Sequence, residues 1–502
     1  MAPPIALQSS LASSPTSMAL LLVGITTLIF ILQKLHHALT TPLRAVPGPW
    51  WSHITHYPLK LANIRGQRVH FIHSLHQKYG PVVRIAPDEV AIADADAAKT
   101  IHRPASGYEK AAWYKQFVQG NADGMFDMTD AKRHAARRRL FARAFGKSEI
   151  RGRWEGMVRE KVELAVQRMG EEMRRGEETD CLKWWTFLAT DVSGHLMFGE
   201  SFRMLELGKK NDYIHTLEST MQGSGIRAEL PLLAAIGKLL PHPTLQAMFN
   251  ANDRLLAYGT RAVTSGKQAS GGSGASIFAQ LDPDAQKESP YPFTDLDIRV
   301  EAGNLIVAGA DTTAVSLTYL TYAVLAQPGL RARLEAEVAG LGEGGKEWGD
   351  RECEGLPLLN AVVNETLRLY GAAPGSLPRA VPPGGATLGG YFLPGGATVS
   401  TQAWSLHRDE RLWRDAERFD PDRWLSLPPN TSPSSMSFQP FGAGTRICLG
   451  LHLALMELRL AAALFFRELK GARLAERTTP ESMDVVNYFL IMPKDHHCYI
   501  RL

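Results

Sequence analysis

Residues 441–450 read FGAGTRICLG and place a cysteine between two glycine-bearing turns. Phe441, Gly444, Arg446, Cys448 and Gly450 stand out in this stretch, and an apolar helical pattern, LHLALMELRLAAALFF, follows directly. The N-terminus of that helix would direct amide donors at the cysteine, and such a dipole lowers the pKa of a thiol. The stretch therefore predicts an ionised, metal-binding cysteine, although a lone cysteine before a helix is more often a buried structural residue.

The residues around Cys448 suit a flat ligand. Glycines allow a tight backbone turn, Phe441 would shield the sulfur from water, and Arg446 offers a cationic fork to a carboxylate. The pattern resembles the haem-binding loop of the cytochrome P-450 superfamily, the haem-thiolate monooxygenases. The resemblance implies that Cys448 is the metal ligand of haem b, and that Phe441, Gly444, Arg446 and Gly450 complete the cofactor-binding loop.

Length and composition set broad limits. For 502 residues, length alone would suggest two to four domains, whereas the resemblance implies one large helical domain, mainly α, with a small β-sheet region. A net charge of +4 without basic runs interleaved with aromatics gives no indication of a nucleic-acid partner. The four cysteines contain no CxxC pair, so neither a zinc site nor a disulfide framework is indicated.

An apolar, uncharged stretch at residues 18–33 is near the lower length limit for crossing a bilayer. It fits either the apolar core of a signal peptide or a short membrane anchor. The anchor is favoured because no charged region precedes the stretch, no small-residue cleavage site follows it, and Lys34 and Arg44 place positive charge on its C-terminal side. The positive-inside rule then predicts a single-pass protein of the endoplasmic reticulum membrane with its catalytic domain in the cytosol.

The sequence VPGPWW at residues 46–51 follows the apolar stretch. Its prolines cannot continue a helix, so it predicts a stiff, extended hinge. The predicted layout is a tail at 1–17, a transmembrane anchor at 18–39, a proline-rich hinge at 40–51 and the haem-thiolate catalytic domain at 52–502.

Aromatic residues are frequent in the loop-rich segment 103–128. Aromatics in loops usually serve packing, but the resemblance places this segment over the distal face of the haem, where it would contact substrate. It likewise makes residues 485–490, VVNYFL, a candidate pocket wall. The aromatics of the first segment are Tyr108, Trp113, Tyr114, Phe117 and Phe126.

Residues 134–145, HAARRRLFARAF, predict a helix capped by Thr129 or Asp130. His134 and Arg138 share one face of that helix. A solvated basic helix is the ordinary interpretation, whereas the resemblance assigns this spacing to haem propionate binding, with His134 standing where many members have tryptophan. Arg379 is a further candidate propionate ligand by the same resemblance.

A long helix is predicted over residues 294–327, and its middle carries AGADTT at 308–313. A glycine, an acid and two hydroxyls within an apolar helix break local consistency, as functional sites often do. A threonine bonded back to its own helix is the alternative. In the functional interpretation Gly309 leaves room for a ligand, while Asp311 and Thr312 are the catalytic residues that deliver protons during oxygen activation.

The sequence ETLR places Glu365 and Arg368 three apart on one helix face. Most such pairs are surface salt bridges of little energetic value. The resemblance instead makes them a buried structural triad with Arg423 of the DPDRW sequence, needed for haem retention.

The resemblance implies a monooxygenase that inserts one oxygen atom from dioxygen into a lipophilic small molecule, by hydroxylation or epoxidation. The sequence is similar to fungal members that act on terpenoids, polyketides or alkaloids. No flavin or nicotinamide fingerprint is evident, so electrons are expected from a separate NADPH-dependent cytochrome P-450 reductase. Its docking face could include the basic residues Lys132, Arg137, Arg139 and Arg143, unless these are simply solvated.

Two other functions are open from sequence. One is a haem-thiolate isomerase or dehydratase that consumes no dioxygen, which the Asp311–Thr312 pair argues against. The other is a non-catalytic membrane protein that binds haem or a lipophilic molecule.

Overall fold

Helices form most of the structure, a computed structural model that describes residues 15–117, 122–211, 230–243, 246, 260, 276–281, 287, 289–427 and 437–502. The predicted mainly helical architecture is confirmed. The described α-helices, numbered α1 to α18 in chain order, are Pro15–Thr40, Tyr57–Ile64, Arg68–Tyr79, Ala95–His102, Trp113–Phe117, Ala131–Ala142, Lys147–Glu149, Glu155–Arg174, Cys181–Phe198, Met204–Leu207, Pro231–Leu239, Asp295–Leu325, Pro328–Ala339, Asp350–Glu354, Pro357–Tyr370, Ala403–Leu406, Asp422–Leu425 and Leu451–Glu468.

The β structure is small, as predicted, and its largest sheet has the order β1-β2-β7-β4. The sequence PVVRIAPDEVAI at residues 81–92 alternates valine and isoleucine with polar positions around a Pro-Asp turn, which predicts a hairpin. This hairpin is present as antiparallel β1 and β2. The sequences PGSLPR at 374–379 and GYFLPGGATV at 390–399 predict strands separated by turns. The second segment does contribute two strands, but they do not pair with each other, since β6 pairs with β5 and β7 runs parallel to β2. The strands β1 to β11 are Val82–Ala86, Glu89–Ile92, Thr179–Asp180, Arg379–Ala380, Ala386–Leu388, Tyr391–Leu393, Thr398–Thr401, Arg473–Leu474, Val485–Asn487, Ile491–Pro493 and Tyr499–Arg501.

Helix α12 is the central element, and its 31 residues give a length of about 46 Å. It begins where the sequence predicts, because Thr294 caps it and exchanges hydrogen bonds with Asp297 in a capping box. It packs along α9 and also contacts α15 and α18. The main apolar core lies among these helices and α8, so α12 can carry side chains from the surface to the middle of the molecule.

Helix α1 includes a 25-residue stretch, Thr16–Thr40, that is long and apolar enough to cross a membrane, and none of its most apolar window is buried. Residues 47 and 48, which follow this helix, pack against strand β1. Arg84 of β1 donates its backbone N–H to the Pro47 carbonyl at 2.8 Å, and a Cβ on Gly48 would lie 2.4 Å from the Arg84 carbonyl oxygen. The segment after α1 is therefore packed on the body; residues 1–14 of the predicted tail lie outside the described residues.

Candidate active site

The loop before α18 holds Cys448 in a closed turn. The Cys448 N–H donates to the Phe441 carbonyl at 2.9 Å, which brings the two ends of the stretch together. Gly444 lies in the left-handed region at φ 65°, and a Cβ there would stand 1.7 Å from the His102 carbonyl oxygen of α4. Glycine at 444 thus serves both the turn and the close contact between the loop and α4.

The Cys448 side chain is exposed, yet neighbouring protein atoms desolvate its sulfur, so the exposed surface lies within a cleft. Burial raises the pKa of the free thiol above its usual value, although the Gly450 N–H bond to sulfur and the Arg138 charge both oppose this. Desolvation of the sulfur thus opposes the lowering of this pKa that is expected from the helix dipole. Arg138 is held nearby by a 2.7 Å bond from its Nη1 to the Ile447 carbonyl.

Four cations gather beside this loop: Lys110, Arg138, Arg379 and Arg446. Lys110 and Arg379 face each other in an antiparallel bridge. Arg446 donates to the carbonyls of Met128 and Thr129 at 2.8 and 3.1 Å. Within the described part of the chain, none of the four forms an ion pair with a carboxylate.

Electrostatics show that this cationic cluster suits an anion. Burial and the neighbouring Arg379 lower the pKa of Arg446 to about 10, and burial with Arg446 and Arg379 lowers the pKa of Lys110 well below its usual value. The Nε of Arg379 is buried without a hydrogen-bond partner. Buried charges need compensation, and a ligand with two carboxylates, such as haem b, would supply it.

His134 lies on α6 and is buried. Burial, reinforced by Arg446, Lys110, Arg138 and Arg379, lowers its pKa to about 3. His134 is thus neutral and would reach a propionate only as a hydrogen-bond donor.

Sequence reasoning missed Lys110. Its ammonium group donates to the Phe126 carbonyl and lies 4.1 Å above the Tyr114 ring and 4.5 Å above the Phe126 ring. A lysine within an aromatic loop is the only hint the sequence contains, because its position opposite Arg379 arises from a contact across 269 residues.

The AGADTT turn of α12 is partly accessible to solvent. Ala308 is exposed although it lies in the middle of a largely buried helix, and Asp311 and Thr312 are half-buried. The Thr312 hydroxyl donates to the Ala308 carbonyl at 2.7 Å, the alternative considered from sequence, which leaves its oxygen able to accept a hydrogen bond. Thr313 donates to Glu457 of α18 at 3.0 Å, so α12 directly contacts the helix that follows Cys448.

Gly309 serves packing rather than ligand access, which corrects the sequence interpretation. A Cβ at Gly309 would lie 2.4 Å from the Ser193 hydroxyl of α9. A Cβ at Gly303, on the same helix, would meet nothing within 4 Å. The missing side chain at 309 therefore allows α12 and α9 to approach closely.

This pair gives a matched test of helix packing. We expect Gly309→Ala to destabilise the haem-loaded protein by about 1–3 kcal/mol through overpacking, and Gly303→Ala to stabilise it by about 0.5–1 kcal/mol through helix propensity. Urea unfolding followed by tryptophan fluorescence measures both. Equal stability of the two variants would contradict the contact with Ser193.

The structure brings Glu365, Arg368 and Arg423 together. Glu365 is fully buried on α15, and its carboxylate accepts from Arg368 at 2.8 and 2.9 Å and from Arg423 at 3.0 Å. The Asp420 backbone and the Trp424 indole also donate to it, at 2.8 and 2.9 Å. This is a satisfied internal network rather than a surface salt bridge.

His407 extends this network toward residues 441–450, the loop that carries Cys448. Its Nε2 accepts from the Gln439 N–H at 3.0 Å, so its Nδ1–H donates to the Arg368 carbonyl at 3.0 Å. Burial lowers its pKa to about 3, which agrees with this neutral form. The HRD sequence at 407–409 was the available signal, but it resembles a fragment of a kinase motif and shows no role without tertiary contacts.

The two predicted pocket walls meet. The Phe489 ring lies 6.3 Å from Trp113 and 5.7 Å from Phe126, and Tyr114 lies 5.4 Å from Phe126. Segments far apart in sequence thus form one aromatic group close to Lys110. Tyr108 is buried nearby, whereas the Phe117 side chain lies outside what the structure describes.

The four basic residues considered for reductase docking divide into two sets. Arg137 is 7% exposed and pairs with Asp297 and Glu301 of α12, so its expected place on a docking face is wrong. Lys132, Arg139 and Arg143 are exposed and share a helical face by their spacing.

Comparisons with known proteins give matches over most of this chain. The family model described as Cytochrome P-450 matches residues 46–497. The cytochrome P-450 monooxygenase stcB of Emericella nidulans is 42% identical over 478 residues, which are 94% of this chain and 90% of that protein. The methylphloroacetophenone oxidase of Cladonia uncialis is 32% identical over 399 residues, 77% of this chain and 86% of that protein. A crystal structure of a cytochrome P-450 haem domain shares the fold, with a TM-score of 0.75 and 20% identity over 91% of this chain and 97% of that one.

Proposed function

Because this chain belongs to the cytochrome P-450 family, we propose that it inserts one oxygen atom from dioxygen into a lipophilic small molecule of secondary metabolism. The fungal monooxygenases to which it is similar support this reaction over an isomerase, a dehydratase or a non-catalytic binding protein. The observation that carries the proposal is the buried cationic cluster beside an accessible cysteine.

The cluster and the loop would hold haem b. Cys448 would ligate the iron, while Lys110, Arg379 and Arg446 would face the propionates, with His134 as a neutral donor. Arg138, bonded to the Ile447 carbonyl, would support the cysteine loop and place a positive charge near the sulfur. The chemistry that haem would supply at this site is the activation of dioxygen with electrons from a partner.

Asp311 and Thr312 would manage protons on the other side of the site. The Thr312 hydroxyl already donates to its own helix, so its oxygen is directed to accept a hydrogen bond from water or from a reacting group. Asp311 stands one residue earlier, where a carboxylate can exchange protons with solvent. Together the two residues would pass protons inward without opening the site to bulk water.

The pocket walls support an aromatic substrate. The rings of Trp113, Phe126 and Phe489 are half-buried and offer faces and edges against which a flat ring system can stack. One relative is named for an aromatic ketone, methylphloroacetophenone. An aromatic polyketide is therefore the substrate class that we favour among terpenoids, polyketides and alkaloids.

Exposed residues support the proposed membrane and reductase partners. Helix α1 would anchor the protein in the endoplasmic reticulum membrane as a single pass, with the catalytic domain at 52–502 on the cytosolic side. Trp50, Tyr57 and Leu61, which follow the anchor, are 78%, 73% and 46% exposed and would meet lipid. Lys132, Arg139 and Arg143 would dock an acidic face of an NADPH-dependent cytochrome P-450 reductase.

The decisive experiment combines haem-loaded protein, a cytochrome P-450 reductase, NADPH and a panel of aromatic polyketides under oxygen. Product formation that requires both NADPH and dioxygen is expected. Product formed without either would support an isomerase or dehydratase, and no turnover across a wide panel would favour a binding protein.

Replacing Thr312 tests the proton role. We expect Thr312→Ala to lower product formed per NADPH consumed by about tenfold or more, because it removes the hydroxyl oxygen that would accept from and position the water passing protons inward, while haem content stays normal. Thr318→Ala is the control, because Thr318 makes the same back-bond on α12, to Ala314 at 2.8 Å, but is buried. If the two variants formed equal amounts of product per NADPH consumed, Thr312 would have no role in proton delivery.

A further inference from the structure

We infer that Glu301 is a positioning residue that ties residues 124–129 to α12 and thereby sets where Phe126 stands in the substrate pocket. The inference rests on the proposed function, since it takes the aromatic group as a pocket wall. Glu301 lies near the start of α12, about three turns before Thr312.

Glu301 joins three parts of the structure. It is 1% exposed, and its Oε1 accepts from the Met125 N–H at 2.8 Å and from Arg137 Nη1 at 2.9 Å. Arg137 belongs to α6 and also donates from Nη2 to Asp297 at 2.7 Å. A single buried carboxylate therefore links α12 to α6 and to the backbone of the loop.

Other contacts seat the same loop on both sides. A Cβ at Gly124 would lie 2.1 Å from Asn304 Nδ2, so the loop backbone rests directly against α12 one turn after Glu301. At its other end, Arg446 of the Cys448 loop donates to the Met128 carbonyl at 2.8 Å. The loop thus spans from α12 to the cationic cluster, and Glu301 holds the end that lies against α12.

The bond to Met125 controls the next residue. Phe126 follows that peptide directly, and its ring packs against Tyr114 and Phe489 at 5.4 and 5.7 Å between centroids. When a buried hydrogen bond is lost, the freed group moves to find another partner or water. Movement of this peptide would shift the Phe126 ring, and with it the shape of the pocket rather than the haem site.

The test uses haem-loaded protein and two azole probes. 4-Phenylimidazole carries an aromatic ring into the pocket, whereas imidazole binds the iron without reaching the walls. We expect Glu301→Ala to weaken 4-phenylimidazole by roughly five- to tenfold, with imidazole affinity unchanged, and to speed amide hydrogen exchange within residues 122–130. Glu301→Gln keeps an acceptor for the Met125 N–H, so its affinity should stay within roughly twofold of the wild type.

Glu335→Ala is the matched control. Glu335 is a buried carboxylate that likewise accepts from a backbone N–H, that of Gly471 at 3.0 Å, and pairs with an arginine, Arg331. It should leave the ratio of the two azole affinities unchanged. Wild-type exchange and an unchanged ratio in Glu301→Ala would overturn the inference, as would an equal change in Glu335→Ala. If the wild type bound no haem, the proposed function would fail. Amide hydrogen exchange at residues 122–130 would still test whether Glu301 holds this loop on α12.

Discussion

Cys448→Ser is expected to lower monooxygenase turnover by more than about 100-fold, since loss of a residue that merely supports a metal ligand already costs about 10- to 100-fold. The serine hydroxyl fits the loop but is a far weaker donor to iron than a thiolate, which supplies the electron density needed for oxygen cleavage. The reduced carbon monoxide difference spectrum should lose its thiolate-type band while the protein stays folded.

Cys353→Ala is the control for this experiment. Cys353 is a fully buried thiol on α14, distant in sequence from the loop, and its replacement should leave the thiolate-type band in place. A normal band in Cys448→Ser, or its loss in Cys353→Ala, would refute the assignment of Cys448 as ligand.

Glu365→Ala is expected to yield protein without bound haem. Its carboxylate receives five hydrogen bonds, from Arg368, Arg423, Trp424 and the Asp420 backbone. Removing it leaves the buried Arg368 charge uncompensated, which costs about 3–5 kcal/mol. Haem absorbance per unit of polypeptide measures the result, and unfolding in urea should occur at a clearly lower concentration.

An exposed ion pair next to this network provides the comparison. Arg333 and Asp422 form two hydrogen bonds, at 3.0 and 2.6 Å, but are 50% and 52% exposed. Arg333→Ala should cost less than about 1 kcal/mol and retain full haem. Equal haem content in Arg333→Ala and Glu365→Ala would show that the Glu365 network has no special role in retention.

Local chemistry explains what could be predicted. The Thr294 cap, the Cys448 loop and the three-residue spacing of Glu365 and Arg368 each depend on only a few neighbouring residues. Their patterns can therefore be recognised in the sequence. The same holds for the hairpin of β1 and β2. The roles given to the site residues stay predictions until variants are measured.

Contacts between distant segments explain what could not. Lys110 joins the cationic cluster only because it pairs in a bridge with Arg379. The position of His407 in the Glu365 network depends on its hydrogen bond from the Gln439 N–H. Arg137 is buried because it pairs with Asp297 and Glu301 of α12. The sequence suggests that Gly309 leaves room for a ligand, because nothing in it shows that Ser193 packs against this residue.

The cationic cluster also makes haem a folding ligand. Without an anion, Lys110, Arg379 and Arg446 repel one another in a desolvated space, so the empty chain is less stable than its apolar core alone would make it. If haem binds the folded form and not the unfolded chain, it would stabilise the protein by mass action, by about 1.4 kcal/mol for each tenfold rise in free haem above the dissociation constant. The amount of this enzyme that accumulates in a cell should therefore follow haem supply, and raising haem synthesis during expression should increase yield before any change to the sequence does.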